Sequence, residues 1–352
     1  MQDREGFLRR FRAVRKEAKN MRSSLYHLTN KCNLRCKGCW FFEFDFDSRV
    51  RELDDMDVWR TRVQEEADRG INAPLLIGGE PSMFLERVKL FLEYMPMVTV
   101  STNGLKKIPY DEFENLTIAI SLFGGGPLDD DLRAIGPNGK TFTGLFDRAL
   151  KNYRHDDRAG FVYAITHEGI PYMEETVRRI ADNGNRVLFN YYADYGGLEM
   201  LKDDTESALL EVVLMLKQKY PEAVASHPYY LEALIKGRTE WGCFGYDECP
   251  SVSIDCVDNG ERIASGAPVL PLFNAYSADM TTATKCCTSG ECGKCRDSQA
   301  IISWILVNAK RILQFPDGLR IWTEVAESYF SQFVWSKYHT RNRKSLCEPE
   351  VV

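Results

Sequence analysis

The sequence predicts an α/β fold, a partial (β/α)6 TIM-like barrel with a small cysteine-rich C-terminal extension and terminal helices. Three observations predict it: six short apolar runs alternate with longer helical patterns, polar residues follow the runs, and cysteines become frequent after residue 240. Strands that alternate with helices form a parallel sheet covered by helices. Six units fall short of the eight in a closed barrel, so we expect an opening on one side.

The first segment, residues 1–23, has the pattern of a basic amphipathic helix. Its apolar positions recur at steps of three and four and are Phe7, Phe11, Val14, Ala18 and Met21. We expect this stripe to pack on the main domain. Contact with an anionic membrane or partner is the alternative.

Residues 24–225 carry the six βα units. Predicted strands are Leu25–Leu28, Pro74–Ile77, Val98–Ser101, Thr117–Leu122, Gly160–Thr166 and Arg186–Tyr192. Predicted helices are Leu85–Tyr94, Gly144–Tyr153, Tyr172–Asn183 and Thr205–Lys219, preceded by one that begins at Asp54 or Asp55 and ends at Gly70. Val58, Trp59, Val63 and Ala67 form the apolar face of that first helix.

The C-terminal third has a different character. Between residues 226 and 298, Cys, Gly and Pro become frequent and periodicity fades, which is typical of a small domain held by metal. From residue 299 to 352 a helical pattern returns. These boundaries divide the chain into an N-terminal helix, a barrel, an extension and C-terminal helices.

Composition limits the classes of function. A net charge of −6 argues against general nucleic-acid binding, with residues 4–22 as a basic exception. The longest apolar run, Ala300–Val307, is far below the roughly 18 residues of a transmembrane helix, and no apolar signal-peptide region follows the basic start. We expect a soluble cytoplasmic protein.

The cysteines predict two metal sites. Three of the eleven lie at 32–39, seven between 243 and 295, and one at 347. Disulfides do not persist in a reducing compartment, so clustered cysteines there indicate metal ligands or redox groups.

The first group is Cys32, Cys36 and Cys39, on one short loop after the first strand. Soft thiolates select iron–sulfur clusters, zinc or copper(I). A structural zinc needs a fourth ligand, and His27, five residues upstream, is more typical of a core or surface histidine. Three thiolates on a cubane leave one iron open for a substrate or cofactor.

This Cys-x3-Cys-x2-Cys spacing at the end of a first strand resembles the signature of the radical S-adenosylmethionine (SAM) superfamily. The resemblance implies that Cys32, Cys36 and Cys39 ligate three irons of a [4Fe–4S] cluster whose fourth iron is chelated by SAM. Reductive cleavage of SAM then gives methionine and a 5′-deoxyadenosyl radical that removes a hydrogen atom from the substrate. The superfamily often has an aromatic residue before the third cysteine, whereas this chain has Gly38 there and Trp40 after it.

Polar motifs follow the next strands. Gly78, Gly79 and Glu80 follow the second strand, where glycines allow close backbone approach and a carboxylate accepts hydrogen bonds from an ammonium group. By resemblance they hold the SAM amino group. Ser101 and Asn103 at the third strand and Ser121 at the fourth resemble the superfamily's polar SAM contacts. Taken singly, each motif is equally typical of a turn.

Further candidates line the same edge of the sheet. The glycine run Phe123–Pro127 is interpreted as a loop lining the substrate cavity, because it lacks the Lys and Ser/Thr of a phosphate-binding loop. Asp131 and Arg133 resemble a charged pair of the superfamily, or else form a salt-bridged helix start. The polar aromatic group Tyr191, Tyr192, Asp194 and Tyr195 follows the last strand and is either a substrate site or a surface loop.

The second cysteine region resembles the SPASM and twitch auxiliary-cluster extensions of that superfamily. Residues 249–265 match their β-hairpin with a glycine turn at Gly260, although Ser265 stands where a cysteine is expected. The resemblance implies an auxiliary iron–sulfur cluster held by Cys249, Cys286, Cys292 and Cys295, with Cys243 and Cys287 as substitutes and zinc as the alternative metal. Cys256 is either a packed thiol or a catalytic hydrogen-atom donor, as in some radical SAM epimerases.

The predicted function is hydrogen abstraction from a small molecule, such as a sugar or nucleoside, followed by epimerisation or dehydrogenation. No peptide-recognition domain is recognised before the barrel, which favours a small substrate. The resemblance also implies a reductant such as flavodoxin or ferredoxin. Alternatives are adenosyl-radical addition to a lipid alkene, a peptide-modifying maturase, a non-catalytic zinc-binding module and an RNA-modifying enzyme.

Overall fold

Seven parallel strands form one sheet in a computed structural model that describes residues 4–191, 205–237, 253–260, 273–285, 296–307 and 312–333. The strands are β1 Ser23–His27, β2 Ala73–Ile77, β3 Thr99–Thr102, β4 Thr117–Leu122, β5 Ala159–Ile165, β6 Arg186–Tyr191 and β7 Ala275–Tyr276. Their spatial order is β6-β5-β4-β3-β2-β1-β7. The predicted α/β fold with a parallel sheet is confirmed, although β3 passes to β4 through residues 103–116 without a helix.

Helices lie in most of the connections between strands. They are α1 Arg4–Asn20, α2 Trp40–Glu43, α3 Met56–Asp68, α4 Leu85–Tyr94, α5 Gly126–Arg133, α6 Leu145–Asn152, α7 Met173–Asp182, α8 Glu206–Lys219 and α9 Pro228–Lys236. Two further helices, Ser298–Val307 and Gly318–Phe333, follow. Helix α3 begins at Asp55, whose carboxylate accepts hydrogen bonds from the backbone N–H groups of Asp57 (2.9 Å) and Val58 (3.3 Å).

The two faces of the sheet differ in burial. Burial alternates strictly along β5. The face of the sheet that the helices cover holds the core, where Tyr26 contacts Phe91 of α4 and Phe161 contacts Phe146 of α6. Side chains on the opposite face are mostly half-buried. We call this second surface the inner face. Its partial exposure leaves room beside the carboxyl ends of the strands, where ligands bind in open α/β sheets.

A seventh strand joins the sheet from the predicted extension. Leu25 and Tyr26 of β1 pair in parallel with Ala275 and Tyr276 of β7, and the Asn274 N–H donates to Ser24 Oγ at 3.0 Å. The sequence did not predict this strand. Two residues are too short for a periodic pattern, and the strand is fixed by a partner about 250 positions away.

The N-terminal helix packs on the body of the protein as predicted. Phe11 lies edge-on to Trp322 with ring centroids 5.9 Å apart, and Val14 is fully buried. Arg10 forms an ion pair with Glu327, and both of these partners belong to the helix Gly318–Phe333. Among the described residues, no helix is long and apolar enough to cross a bilayer.

Three details differ from the prediction. Val58 is 41% exposed, because the buried stripe of α3 is centred on its neighbour Trp59 and on Val63. Residues 228–236, expected in the irregular extension, form α9 and pack into the main core. Within 253–260, where a hairpin was predicted, Val257–Asn259 form a 3-10 turn, and Gly260 has right-handed helical angles (φ −58°, ψ −42°) instead of a hairpin turn.

Candidate metal centre at the cysteine loop

The three predicted ligands lie together after β1, on a segment that we call the cysteine loop (residues 28–40). Cys32, Cys36 and Cys39 are each partly exposed, and none is in a disulfide. Gly38 has φ +62°, a left-handed conformation that side chains disfavour. The missing aromatic residue before the third cysteine therefore has a backbone cause: the chain turns sharply at this position.

The Gly78–Gly79 motif packs directly against the cysteine loop. The Gly79 N–H donates to Thr29 O, and the Glu80 N–H donates to Lys31 O, both at 2.8 Å. A Cβ atom at Gly79 would lie 2.1 Å from Lys31 O, and one at Gly78 would lie 2.7 Å from Thr29 O. The close approach that these glycines allow is thus to the loop that carries the cysteines.

Glu80 joins the ends of β2 and β3. Its carboxylate is buried, and it accepts hydrogen bonds from Ser82 N (3.0 Å), Thr102 Oγ1 (2.6 Å) and Asn103 N (2.9 Å). A carboxylate has about four acceptor positions. Three are filled by described residues, so one remains on Oε2 for the predicted ammonium contact.

Asn103 extends this network to the cysteine loop. Its Nδ2 donates to Asn33 Oδ1 at 2.7 Å, and Asn33 directly follows Cys32. Asn103 Oδ1 accepts from the Leu105 N–H at 3.0 Å, which fixes the orientation of the side chain. The position next to Cys32 is therefore tied to the end of β3.

A buried ion pair, which the sequence analysis missed, holds the start of the loop. Glu52 accepts from Thr29 Oγ1 (2.9 Å) and Asn30 N (2.7 Å), and pairs with Arg87 at 2.6 Å. Arg87 also donates to Leu28 O at 2.8 Å. In the sequence, the only indication of this ion pair is the charged residue Arg87 among the apolar positions of α4. That indication does not identify Glu52 as its partner.

Ser101 and Ser121 lie on the inner face. Ser101 is paired with Ala119, and Ala119 and Ser121 are two residues apart on β4, so the three share one face. Both serines are half-buried. Asn190, near the end of β6, has its Oδ1 buried without a hydrogen-bond partner among the described residues. The inner face thus carries polar side chains on β3, β4 and β6.

His27 is a core residue, as its position in the strand indicated. It is fully buried, and its ring lies 5.0–5.6 Å from those of Trp40, Phe41 and Phe46. Burial, together with the charge of Arg49, lowers the pKa of His27 to about 3, so the ring is neutral.

The glycine run Phe123–Pro127 packs against α7, and an ion pair forms within α5. Thr176 Oγ1 of α7 donates to Gly124 O at 2.7 Å, and a Cβ atom at Gly125 would lie 2.5 Å from that hydroxyl. Arg133 pairs with buried Asp129 at 3.2 Å, whereas Asp131 is exposed. The charged pair predicted from the motif is therefore formed with a different aspartate, four residues before the arginine.

Burial raises the pKa of all three thiols. Together with the smaller effect of the Cys36 charge, it raises the pKa of Cys32 to about 12 and that of Cys39 to about 11. A cationic centre would offset this cost by binding the thiolates. Among the described residues, no three His, Cys, Asp or Glu converge tightly enough to hold a single metal ion. Three soft donors on one fixed loop are a donor set that fits an iron–sulfur cluster.

Most of the second cysteine region lies outside the described residues. This applies to Cys243, Cys249, Ser265, Cys286, Cys287, Cys292 and Cys295, and also to Tyr192, Asp194 and Tyr195. Arg296, the first described residue after this group, donates to Tyr191 OH at 2.9 Å and pairs with Glu206. One end of the region is therefore attached near the end of β6, while β7 attaches an earlier part beside β1.

Cys256 is the described cysteine of the extension. It is buried, with 5% of its surface exposed. The N–H of its neighbour Asp255 donates to Asn274 Oδ1 at 3.0 Å, and Asn274 contacts Ser24 at the amino end of β1. The cysteine loop follows the opposite, carboxyl end of that strand.

Comparisons with known proteins concern the fold. No protein-family model matches the chain, and no curated protein matches it. Among solved structures, native anSMEcpe with bound AdoMet and Cp18Cys peptide is similar with a TM-score of 0.48 and 14% identity, over 92% of this chain and 98% of that one. Native anSMEcpe with bound AdoMet gives 0.44 and 15%, over 56% of this chain and 60% of that one.

A third structure, HydG, a maturase of the [FeFe]-hydrogenase, gives a TM-score of 0.42 and 11% identity over 98% of this chain and 83% of that one. At such scores the likeness carries no conclusion about activity, substrate or individual residues.

Proposed function

We propose that this protein is a radical SAM enzyme in which Cys32, Cys36 and Cys39 hold three irons of a [4Fe–4S] cluster. The observation that carries the proposal is that three thiols share one loop at the carboxyl edge of a parallel sheet. The cluster, when bound, supplies the electron that cleaves SAM to methionine and a 5′-deoxyadenosyl radical. The residues of the chain hold the loop, bind SAM and orient the substrate.

Two groups of contacts fix the loop before any ligand binds. Gly79 and Glu80 hold Thr29 and Lys31 through backbone hydrogen bonds. Glu52 holds Thr29 and Asn30 from the other side. Such preorganisation keeps the thiols in place and lowers the cost of ordering the site when the cluster binds.

SAM binding is assigned to the adjoining strand ends. Glu80 Oε2 retains one acceptor position for an ammonium group, while Gly78 and Gly79 set the position of that carboxylate against the loop. Ser101 and Ser121 present hydroxyls on the inner face, and Asn103 is fixed beside Asn33. Four polar side chains from β2, β3 and β4 thus lie at the same edge as the thiols.

We propose a small polar molecule as the substrate, with epimerisation or dehydrogenation as the outcome. The half-buried inner face, with Ser121 and the unpartnered oxygen of Asn190, supports a compact hydrogen-bonding ligand. Cys249, Cys286, Cys292 and Cys295 are proposed ligands of an auxiliary iron–sulfur cluster that assists electron transfer. A reductant such as flavodoxin or ferredoxin is the proposed electron donor.

The test is anaerobic purification with iron and sulfide counts, followed by addition of dithionite and SAM. We expect a brown protein that forms 5′-deoxyadenosine. Cys36→Ala abolishes this product, whereas Cys256→Ala, a matched buried cysteine, keeps the iron of the first site. A colourless zinc protein that leaves SAM intact would overturn the proposal, as would undiminished cleavage by Cys36→Ala.

A further inference from the structure

Arg133 occupies a buried position between α5 and the cysteine loop. Only 3% of its surface is exposed. Its guanidinium donates to Ser121 O at the end of β4 and to Asp129 Oδ1 at 3.2 Å, and lies 5.3 Å from the ring centroid of Phe123. A buried arginine with several partners in one plane has a fixed position.

The backbone around Arg133 pairs with the backbone around Cys36. The Lys37 N–H donates to Leu132 O at 2.8 Å, and the Arg35 N–H donates to Ile135 O at 2.7 Å. Cys36 Sγ lies 3.8 Å from Arg133 O. The two hydrogen bonds flank Cys36 on both sides, so a displacement at the end of α5 displaces this cysteine.

The charges near the three thiols are unequal. Arg133 is in contact with Cys36 through its backbone, since Cys36 Sγ lies 3.8 Å from Arg133 O, and its buried guanidinium belongs to the same residue. Cys32 has two charged neighbours: the Glu80 carboxylate, and the Arg35 guanidinium, which donates to Cys32 O at 3.2 Å. Asp129 balances the charge of Arg133 through an ion pair at 3.2 Å. Of these two arginines, Arg133 beside Cys36 is the buried one, whereas Arg35 is half-buried.

We propose that Arg133 is a positioning residue for the cysteine loop that also sets the reduction potential of the bound cluster. It holds Cys36 through α5, and its cation stabilises the negative charge that the cluster gains when it accepts one electron. This inference rests on the proposed function. Charges and hydrogen bonds at the sulfurs set cluster potentials, and burial strengthens the effect.

The first measurement is a redox titration of the anaerobically reconstituted protein followed by electron paramagnetic resonance. At the midpoint potential of the wild type, Arg133→Met lowers the ratio of reduced to oxidised cluster about tenfold. For a one-electron couple this is a fall of about 59 mV in the midpoint potential. Arg133→Lys keeps the cation and stays within about threefold of the wild type, or about 30 mV. Asp129→Asn removes the balancing anion and shifts the ratio in the opposite direction.

The second measurement is hydrogen exchange of the amides at 35–37, which depends neither on iron nor on turnover. Arg133→Met accelerates this exchange about tenfold, because the hydrogen bonds to Leu132 and Ile135 lose their support. Asp131→Asn, an exposed change on the same helix, leaves both the exchange and the potential unchanged.

The outcomes separate the two proposals. Wild-type protein that binds no iron contradicts the proposed function, whatever Arg133 does. Iron-loaded protein in which Arg133→Met and the wild type have equal potentials and equal exchange overturns the inference. An equal fall in potential in Arg133→Lys, Arg133→Met and Asp129→Asn would also overturn it, since disruption of the loop would then explain all three. If Arg133→Met fails to fold, the other two variants decide: the inference requires a near wild-type potential in Arg133→Lys and a raised potential in Asp129→Asn, and a fall in both overturns it.

Discussion

Substitution of Gly79 by alanine tests how the cysteine loop is held. The added Cβ atom would lie 2.1 Å from Lys31 O and 2.5 Å from Lys31 C, and 3.1 Å from Cys32 N. Carbon atoms do not approach backbone oxygens within 3.0 Å, so the loop must retreat by about 1 Å. Gly79 does not have a positive φ, and the effect is therefore one of contact alone.

The energetic cost follows from this displacement. A retreat of about 1 Å breaks the 2.8 Å hydrogen bond from the Glu80 N–H to Lys31 O. Forced overpacking costs roughly 1–3 kcal/mol, and a lost hydrogen bond adds about 1 kcal/mol. We expect the free energy of unfolding to fall by about 2–4 kcal/mol, and the cysteines to lose the spacing that cluster binding needs.

Urea unfolding followed by circular dichroism measures the first effect, and iron content after anaerobic reconstitution measures the second. The matched control is Gly260→Ala, because no atom lies within 4 Å of a Cβ built there and its φ is −58°. Gly79→Ala protein with the stability and the iron content of the wild type would refute the packing of the Gly-Gly motif on the loop.

Three further predictions concern other residues. Because His27 has its pKa lowered from 6.5 to about 3, only the unfolded state binds its proton between those values, and stability is lost as pH falls below about 6.5. Between pH 7 and pH 5, the free energy of unfolding in urea should fall by about 2 kcal/mol more in the wild type than in His27→Phe. An equal fall in the two proteins would contradict the buried neutral ring. Glu52→Gln leaves Arg87 buried without its charge partner and lowers the unfolding free energy by roughly 3 kcal/mol. The control is Asp54→Asn, which changes the unfolding free energy little, because Asp54 is exposed and lies 3.9 Å from Arg87. An equal loss of stability in both variants would refute the buried pair. Cys256→Ala leaves 5′-deoxyadenosine formation intact, as measured by chromatography, and loss of this product would show that the thiol acts before hydrogen return.

Much of the barrel could be predicted from local patterns. The strand Thr117–Leu122 and the helix Leu85–Tyr94 have the predicted bounds, and the other strands differ by one or two residues at an end. Asp55 caps its helix as its residue type indicated. Such features depend on interactions between residues within one or two turns of each other, so a short segment of sequence is sufficient to predict them.

The predictions from sequence were wrong where the local pattern of apolar residues was weak or absent. Val58 is apolar and next to a buried tryptophan, yet it points to solvent, since adjacent residues lie 100° apart around a helix. β7 has only two residues and depends on the edge of β1. The extension, with few apolar repeats, gave no periodic signal by which to place Gly260.

The sequence by itself determined the order of βα units and placed three cysteines and a polar motif at successive strand ends. Their chemistry is carried by residue type and spacing, which need no coordinates. Only the tertiary structure decided what holds them: Glu52 with Arg87, Asn33 with Asn103, and Arg133 with Ser121. These partners are separated along the chain by 12 to 70 positions. Their contacts exist because parallel strands bring distant carboxyl ends to one edge, and a local pattern does not specify which strands are neighbours.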